Sequence, residues 1–175
     1  MIGSSGSGKT TMAFALSDAL GVPRLELDSI YHQPNWTPLP DDEFRARVID
    51  FVSGDRWVVD GNYTSNGVND VVLDAADTVV WVDMPRRVVM QRVISRSFRR
   101  AASGEELWNG NTERWPNLFK PDPEENIILW AWTRFAGTRA KYEDRLVEPR
   151  FSHLEVHRLR TPREAEVFVR TLTSG

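Results

Sequence analysis

The residues with the clearest chemistry lie in the stretch Gly3-Ser4-Ser5-Gly6-Ser7-Gly8-Lys9-Thr10, which fits the pattern G-x-x-x-x-G-K-[ST]. Its glycines let successive backbone N–H groups turn inward onto an anion, and a helix that follows adds its positive N-terminus. Lys9 then reaches the outer phosphates of a nucleotide, and the Thr10 hydroxyl ligates Mg2+. Gly3, Ser4, Ser5, Gly6, Ser7, Gly8, Lys9, Thr10 and Thr11 are therefore the candidate nucleotide-binding residues. The competing reading is a flexible Gly/Ser linker, which "GSSGSG" resembles. Lys-Thr-Thr running directly into an amphipathic segment is what a phosphate loop needs and a linker lacks. One feature is out of pattern: such a loop follows a buried strand, and here only Met1 and Ile2 precede it. Two residues leave most of a central strand's neighbours unpaired. We expect either several apolar residues before Met1 or a sheet frayed at that place.

Other elements must carry the partners of this loop. Residues 11–20 have helical periodicity and stop at Gly21, with Pro23 beyond. "PRLELD" alternates as a strand and delivers Asp28 to its C-terminal edge, after which residues 29–40 read as irregular and Pro-rich. A helix is expected over 41–53, then a buried strand ending in Asp60 and a short helix over 69–76. The apolar run of "DTVVWVDMP" reads as a strand covered on both faces, followed by a helix from Pro85 that ends in a basic cluster. Residues 103–125 lack periodicity, and a stretch of that length is either a functional lid or disordered. A helix over 125–146, a strand over 153–159 and a capped helix over 161–172 complete the chain. Strands alternating with helices imply an α/β fold with a parallel sheet wrapped by helices.

With 175 residues the chain suits one domain, 1–175. Its 41% hydrophobic and 27% charged composition, with no apolar run long enough for a bilayer, argues against a membrane protein. The absence of Cys and of a leader pattern favours a cytoplasmic setting. A net charge of -3 speaks against bulk nucleic-acid binding, although nearly all basic residues are Arg, the better fork for phosphate.

A phosphate loop alone does not separate kinases from GTPases or motor ATPases. The remaining strand ends do. "WVVDGNY" looks like the strand ending in Asp-Gly in adenylate kinases, and "ADTVVWVDMPRRVVMQRVISRSFRR" resembles their next unit of strand, Asp-x-Pro, helix and lid arginines. Over its full length the chain is similar to the small bacterial P-loop kinases labelled DNA topology modulation proteins, through Leu27-Asp28-Ser29-Ile30-Tyr31, Trp36 and Asp60-Gly61-Asn62-Tyr63. The resemblance implies a P-loop NTPase three-layer α/β/α fold, strand order 2-3-1-4-5, an acceptor-binding region at about 28–54, and a helical or irregular lid at about 97–125. It implies ATP and Mg2+ as cofactors, with Thr10 and Asp60 at the metal. Arg92 matches the arginine packed on the base, Arg96 the phosphate contact at the lid hinge, and Arg134 with Arg139 the pair clamping the transferred group. Arg99 and Arg100 are either lid arginines or a solvated helix end.

Two departures from adenylate kinases set the acceptor. Their Phe-Pro-Arg after Asp-Gly, whose Arg grips the acceptor's phosphate, is replaced by Asn62-Tyr63-Thr64, and the second strand ends in Asp28 with no Arg before Arg45. A carboxylate there resembles kinases of small hydroxyl compounds, where it takes or orients the proton of the attacking OH. The catalytic candidates are therefore Lys9, Asp28, Arg96, Arg134 and Arg139, with Asp28, Tyr31, His32, Trp36, Asn62 and Tyr63 around the acceptor. The alternative role for Asp28 is a turn cap. Within the enzyme class the alternative is a nucleoside monophosphate kinase. Outside it the alternative is a nucleotide-binding regulator associated with DNA through an Arg-rich lid. A monomer or small homo-oligomer is expected.

Overall fold

The computed structural model describes residues 1–63 and 66–173. Helix α1 (Lys9–Leu20) starts directly after the glycine loop and ends at Gly21, which turns left-handed at φ 61. Strand β1 (Arg24–Glu26) is shorter than expected: Leu27–Tyr31 forms a helical turn, α2, rather than a continuation through Asp28. The Ser29 hydroxyl donates to Glu26 O at 2.7 Å, and Leu27 is buried beneath Gly61, where any Cβ would stand 2.7 Å from the Leu27 Cβ. The stretch after it, expected to be irregular, contains a small antiparallel pair, β2 (His32–Gln33) with β3 (Thr37–Pro38), joined through left-handed Asn35 and Trp36.

Helix α3 (Asp41–Val52) carries Asp41, Asp42 and Glu43 in its first turn, where the helix dipole favours acids. It is followed by β4 (Val58–Asp60), α4 (Val68–Ala75) and β5 (Thr78–Val82). Helix α5 (Arg86–Ser103) begins after Pro85 and stops at left-handed Gly104. The segment beyond it holds turns at Trp108–Gly110 and Trp115–Phe119. Asn126 caps α6 (Ile127–Arg145) by accepting from Ile128 N and Leu129 N, and its amide group bonds back to Leu118 O and Lys120 O. Strand β6 (Glu155–Leu159) leads to α7 (Pro162–Thr173), opened by the Thr161 hydroxyl accepting from Glu164 N while the Glu164 carboxylate accepts from Arg160 N.

Strand β1 pairs in parallel with β4, and β5 with β6. Met1 and Ile2 lie between the pairs. The Met1 amino nitrogen donates to Val59 O at 2.7 Å and Gly61 N to Met1 O at 3.5 Å, while Ile2 N reaches Val80 O at 3.1 Å and Val82 N reaches Ile2 O at 2.9 Å. The fraying expected there is absent where the sheet meets the glycine loop, because Met1 bonds to the β4 side and Ile2 to β5. Val58, Val80 and Leu159 pack beneath Met12, Ala13 and Leu16 of α1. The opposite face sets Val79 and Trp81 against Leu73 and Tyr142, and Val59 against Phe44 and Val48. Helices thus cover both faces, and each fully buried Val or Leu contributes roughly 1.5–3 kcal/mol. No helix among the described residues is long and apolar enough to cross a membrane.

Candidate active site

The glycine loop lies at the C-terminal edge of the sheet, packed so closely that two of its positions have no room for a side chain. Gly3 has φ 140 and a Cβ there would stand 2.4 Å from Val82 O; Gly6 has φ 80 and its Cβ would meet Val93 Cγ2 at 2.5 Å. Ser7 N closes the turn onto Ser4 O at 3.1 Å, and Lys9 Nζ donates to the same oxygen at 3.1 Å. Helix α5 brings its arginines over the loop one turn apart: Arg92 Nη1 donates to Ser7 O at 2.7 Å and Arg96 Nη2 to Ser5 Oγ at 3.2 Å. Burial lowers the pKa of Lys9, against the pull of Asp60 and Asp28, and burial with the nearby Arg100 charge lowers that of Arg96. Among the described residues, none of Lys9, Arg92 and Arg96 has a carboxylate at ion-pair distance. Lys9 and Arg96, desolvated, and the more exposed Arg92, all without an anion, make a strong site for phosphate.

Asp60, at the end of β4, is 2% exposed. Its Oδ2 accepts from the Thr10 hydroxyl at 2.6 Å, whereas its Oδ1 is buried with no hydrogen-bond partner. No group of three His, Cys, Asp or Glu among the described residues could hold a metal by itself. One hydroxyl beside one orphaned carboxylate oxygen fits Mg2+, which keeps waters and takes its remaining oxygens from substrate phosphates.

The loop opens into a cleft of about 1400 Å³. The sequence candidates Asp28, Tyr31, His32, Trp36, Asn62 and Tyr63 all line it, as do Lys9, Thr10, Asp60, Arg92 and Arg96. Tyr63 Oη donates to Asp28 Oδ1 at 2.5 Å and lies 3.3 Å from His32 Nε2. Burial, reinforced by the Asp28 charge, raises the Tyr63 pKa far above its ordinary range, so the phenol stays a donor. Burial lowers the His32 pKa, only partly offset by Asp28. Asn62 bonds to Gly3 O and accepts from Tyr142 Oη at 2.9 Å, which ties the glycine loop to α6. Thr64, named with Asn62 and Tyr63 in the sequence, lies outside the described residues.

Two of the catalytic candidates are not brought to the cleft lining. Arg139 Nη2 is 3.0 Å from Asp83 Oδ2 at the end of β5, in a cluster with Arg158 and Glu143. Arg134 pairs with Glu124 at 2.8 Å, both well exposed. The i and i+5 spacing on α6 turns these arginines to different neighbours instead of converging on one point. Of the two undecided arginines, Arg100 lines the cleft but is paired with Glu113 at 3.1 Å, and Arg99 is largely solvated. Trp132 on α6 is 52% exposed and stacks on the Arg86 guanidinium at 3.6 Å.

Among the cleft residues, Glu26 was not singled out from sequence. Glu26 lines the cleft and accepts from the Trp108 side chain, and burial raises its pKa. The turn at Trp108–Gly110 docks on the acceptor side through amide side chains. Asn109 Nδ2 donates to Ser29 O at 3.1 Å and His32 O at 2.7 Å; Asn111 Nδ2 donates to Gln33 O at 2.9 Å and Asn111 Oδ1 accepts from Trp36 N at 2.8 Å. Trp108 stacks on His32 with centroids 5.7 Å apart and meets Trp36 edge-on at 6.4 Å. The only sequence signal for this docking is the turn-forming "WNGN", which says nothing of a partner some 75 residues away.

No protein-family model matches the chain, and no curated protein matches its sequence. Among solved structures it is similar to a gluconokinase from Sinorhizobium meliloti 1021, at 20% identity and a TM-score of 0.51, over 99% of this chain and 91% of that one. At that identity the likeness speaks for architecture alone: the chain shares the mixed α/β, parallel-stranded fold of that structure along essentially its whole length.

Proposed function

We propose that the protein is a phosphotransferase that moves the γ-phosphoryl group of ATP to a hydroxyl of a small molecule. The observation that carries this reading is the juxtaposition, in one cleft, of cations lacking carboxylate partners with a carboxylate aimed from the other side. Lys9, Arg92 and Arg96 supply the charge that the phosphates need, and Asp28 supplies the acceptor for a hydroxyl proton. Mg2+, when bound at Thr10 and Asp60, neutralises charge that builds on the phosphate oxygens.

In this reading Tyr63 fixes Asp28 by donating to Oδ1, which leaves Oδ2 to take the proton as the acceptor oxygen bonds to phosphorus. The bond from phosphorus to the bridging oxygen breaks, and ADP carries the charge away against Lys9 and Arg96. His32, kept neutral by its burial, adds no charge that would pull the proton off Asp28. The gluconokinase likeness supports a hydroxyl acceptor, as does the lack of a lining arginine on the acceptor wall. The finer architecture belongs to the same proposal: strand order 2-3-1-4-5, a covering segment at about 97–125 that excludes water, and the small bacterial P-loop kinase type. So do a cytoplasmic setting and a monomer or small homo-oligomer.

Release of ADP from Mg-ATP, measured across nucleosides, sugars and polyols, tests the reading. We expect turnover with a hydroxyl compound and its loss in Asp28→Asn. Robust conversion of AMP to ADP would instead make the protein a nucleoside monophosphate kinase.

A further inference from the structure

The cleft is electrically two-ended. At the loop end stand Lys9, Arg92 and Arg96, none in an ion pair with a described carboxylate. At the far end stand Glu26 and Asp28, walled by His32, Trp36 and Trp108. Among the described residues the one cation at ion-pair distance from Glu26 is Arg24, 3.9 Å away, whose guanidinium lies 3.5 Å over the Phe14 ring and does not line the cleft. The charges of Lys9 and Arg96 also reach this end, but bound phosphates take them up. His32 does not compensate, because burial holds it neutral. Of the other lining cations, Arg100 is committed to Glu113 and Lys120 to Glu125, while Arg99 is largely solvated and sits 4.0 Å from Glu105. A half-buried carboxylate in a cleft walled by aromatic rings is what an ammonium group binds, through charge and ring quadrupole together. With Lys9 and Arg96 engaged by the phosphates, an anionic acceptor would meet two carboxylates, a built-in repulsion.

We propose that the acceptor carries a protonated amino group, seated against the Trp36–His32–Trp108 wall beside the Glu26 carboxylate, while its hydroxyl meets Asp28. The acceptor class is thus an amino alcohol or amino sugar. The wall is completed by the turn that Asn109 and Asn111 hold on the acceptor side, so the ammonium subsite draws on two distant parts of the chain. This rests on the phosphotransferase reading for the role of Asp28, but the subsite makes its own demand on binding.

A matched series of linear six-carbon polyols tests it: glucamine with an amine at C1, glucitol with a hydroxyl there, and gluconate with a carboxylate. Binding is followed by tryptophan fluorescence and calorimetry in the presence of Mg2+ and a non-hydrolysable ATP analogue. Saturable glucamine binding is expected, about tenfold or more tighter than glucitol, with gluconate weakest. In wild type that preference should shrink as salt is raised, a readout independent of any variant's folding. Glu26→Gln should bring glucamine to within roughly threefold of glucitol. Equal affinities, gluconate binding as well as glucamine, or no saturable glucamine binding overturns the inference. ADP release with gluconate alone overturns it and leaves the kinase reading standing. Preferred glucamine binding with no ADP release from any hydroxyl compound leaves the subsite and removes the kinase.

Discussion

Lys9 combines burial with a single hydrogen bond to the loop carbonyl of Ser4, so its charge is held for a ligand rather than spent on the fold. Lys9→Ala is expected to slow phosphoryl transfer by roughly 100- to 1000-fold, the scale of losing one preorganised charge partner, with thermal stability not reduced. Steady-state rates beside a melting curve check both parts. Gly6→Ala has the opposite profile: its Cβ would meet Val93 Cγ2 at 2.5 Å in a left-handed backbone, and a loss of about 1–3 kcal/mol is expected in denaturant unfolding. His32 gives a pH signature. Because burial lowers its pKa, it binds fewer protons in the fold than when unfolded, so its contribution is full above the ordinary value of 6.5 and is lost as pH falls through that value toward the lowered one. His32→Asn should flatten that part of the stability profile, measured by urea unfolding at stepped pH. Lys9, Thr10 and Asp60 were legible in sequence because local spacing and a strand end define them. Glu26 was not, since an acid in an alternating strand reads equally as a solvated face.

At the scale of elements, the turn at Trp108–Gly110 and the pair formed by β2 and β3 behave as one unit. Asn111 is 3% exposed and serves Trp36 N, Gln33 O and Trp108 O at once. Asn111→Ala should cost about 1–3 kcal/mol of stability through the unsatisfied backbone groups left behind. It should also raise the acceptor KM about tenfold with the ATP KM little changed, a split that a purely structural loss would not produce. Full kinetics against each substrate reads this. The long helices α1, α5 and α6 followed from periodicity, glycine stops and Pro85. The helical turn α2 did not, because five residues carry too little pattern and its shape is set by Leu27 packing under Gly61. Arg139 was misplaced for a related reason: helical spacing fixes which face a residue occupies, and only the tertiary fold decides that Asp83 waits there.

For the whole molecule, the sheet joins through Met1 and Ile2, whose backbone groups bond to β4 on one side and β5 on the other and so carry the glycine loop between them. The alternation of strands and helices made the α/β architecture legible, whereas the docking of residues 106–112 on residues 29–36 is a contact across the whole fold that no local pattern encodes. The molecule carries a net charge of -3, and its cleft cations face inward, so duplex DNA should bind weakly if at all. An affinity for DNA that falls steeply with added salt, in the absence of ATP turnover, would favour a DNA-associated regulator. The central claim, transfer from ATP to a hydroxyl, is tested most directly by phosphorus NMR of the protein incubated with Mg-ATP and a mixture of amino alcohols, sugars and AMP. The account expects ADP to grow in step with a new phosphate monoester, and neither to grow with Asp28→Asn. Growth of ADP at the expense of AMP, or free phosphate as the sole product, would contradict it.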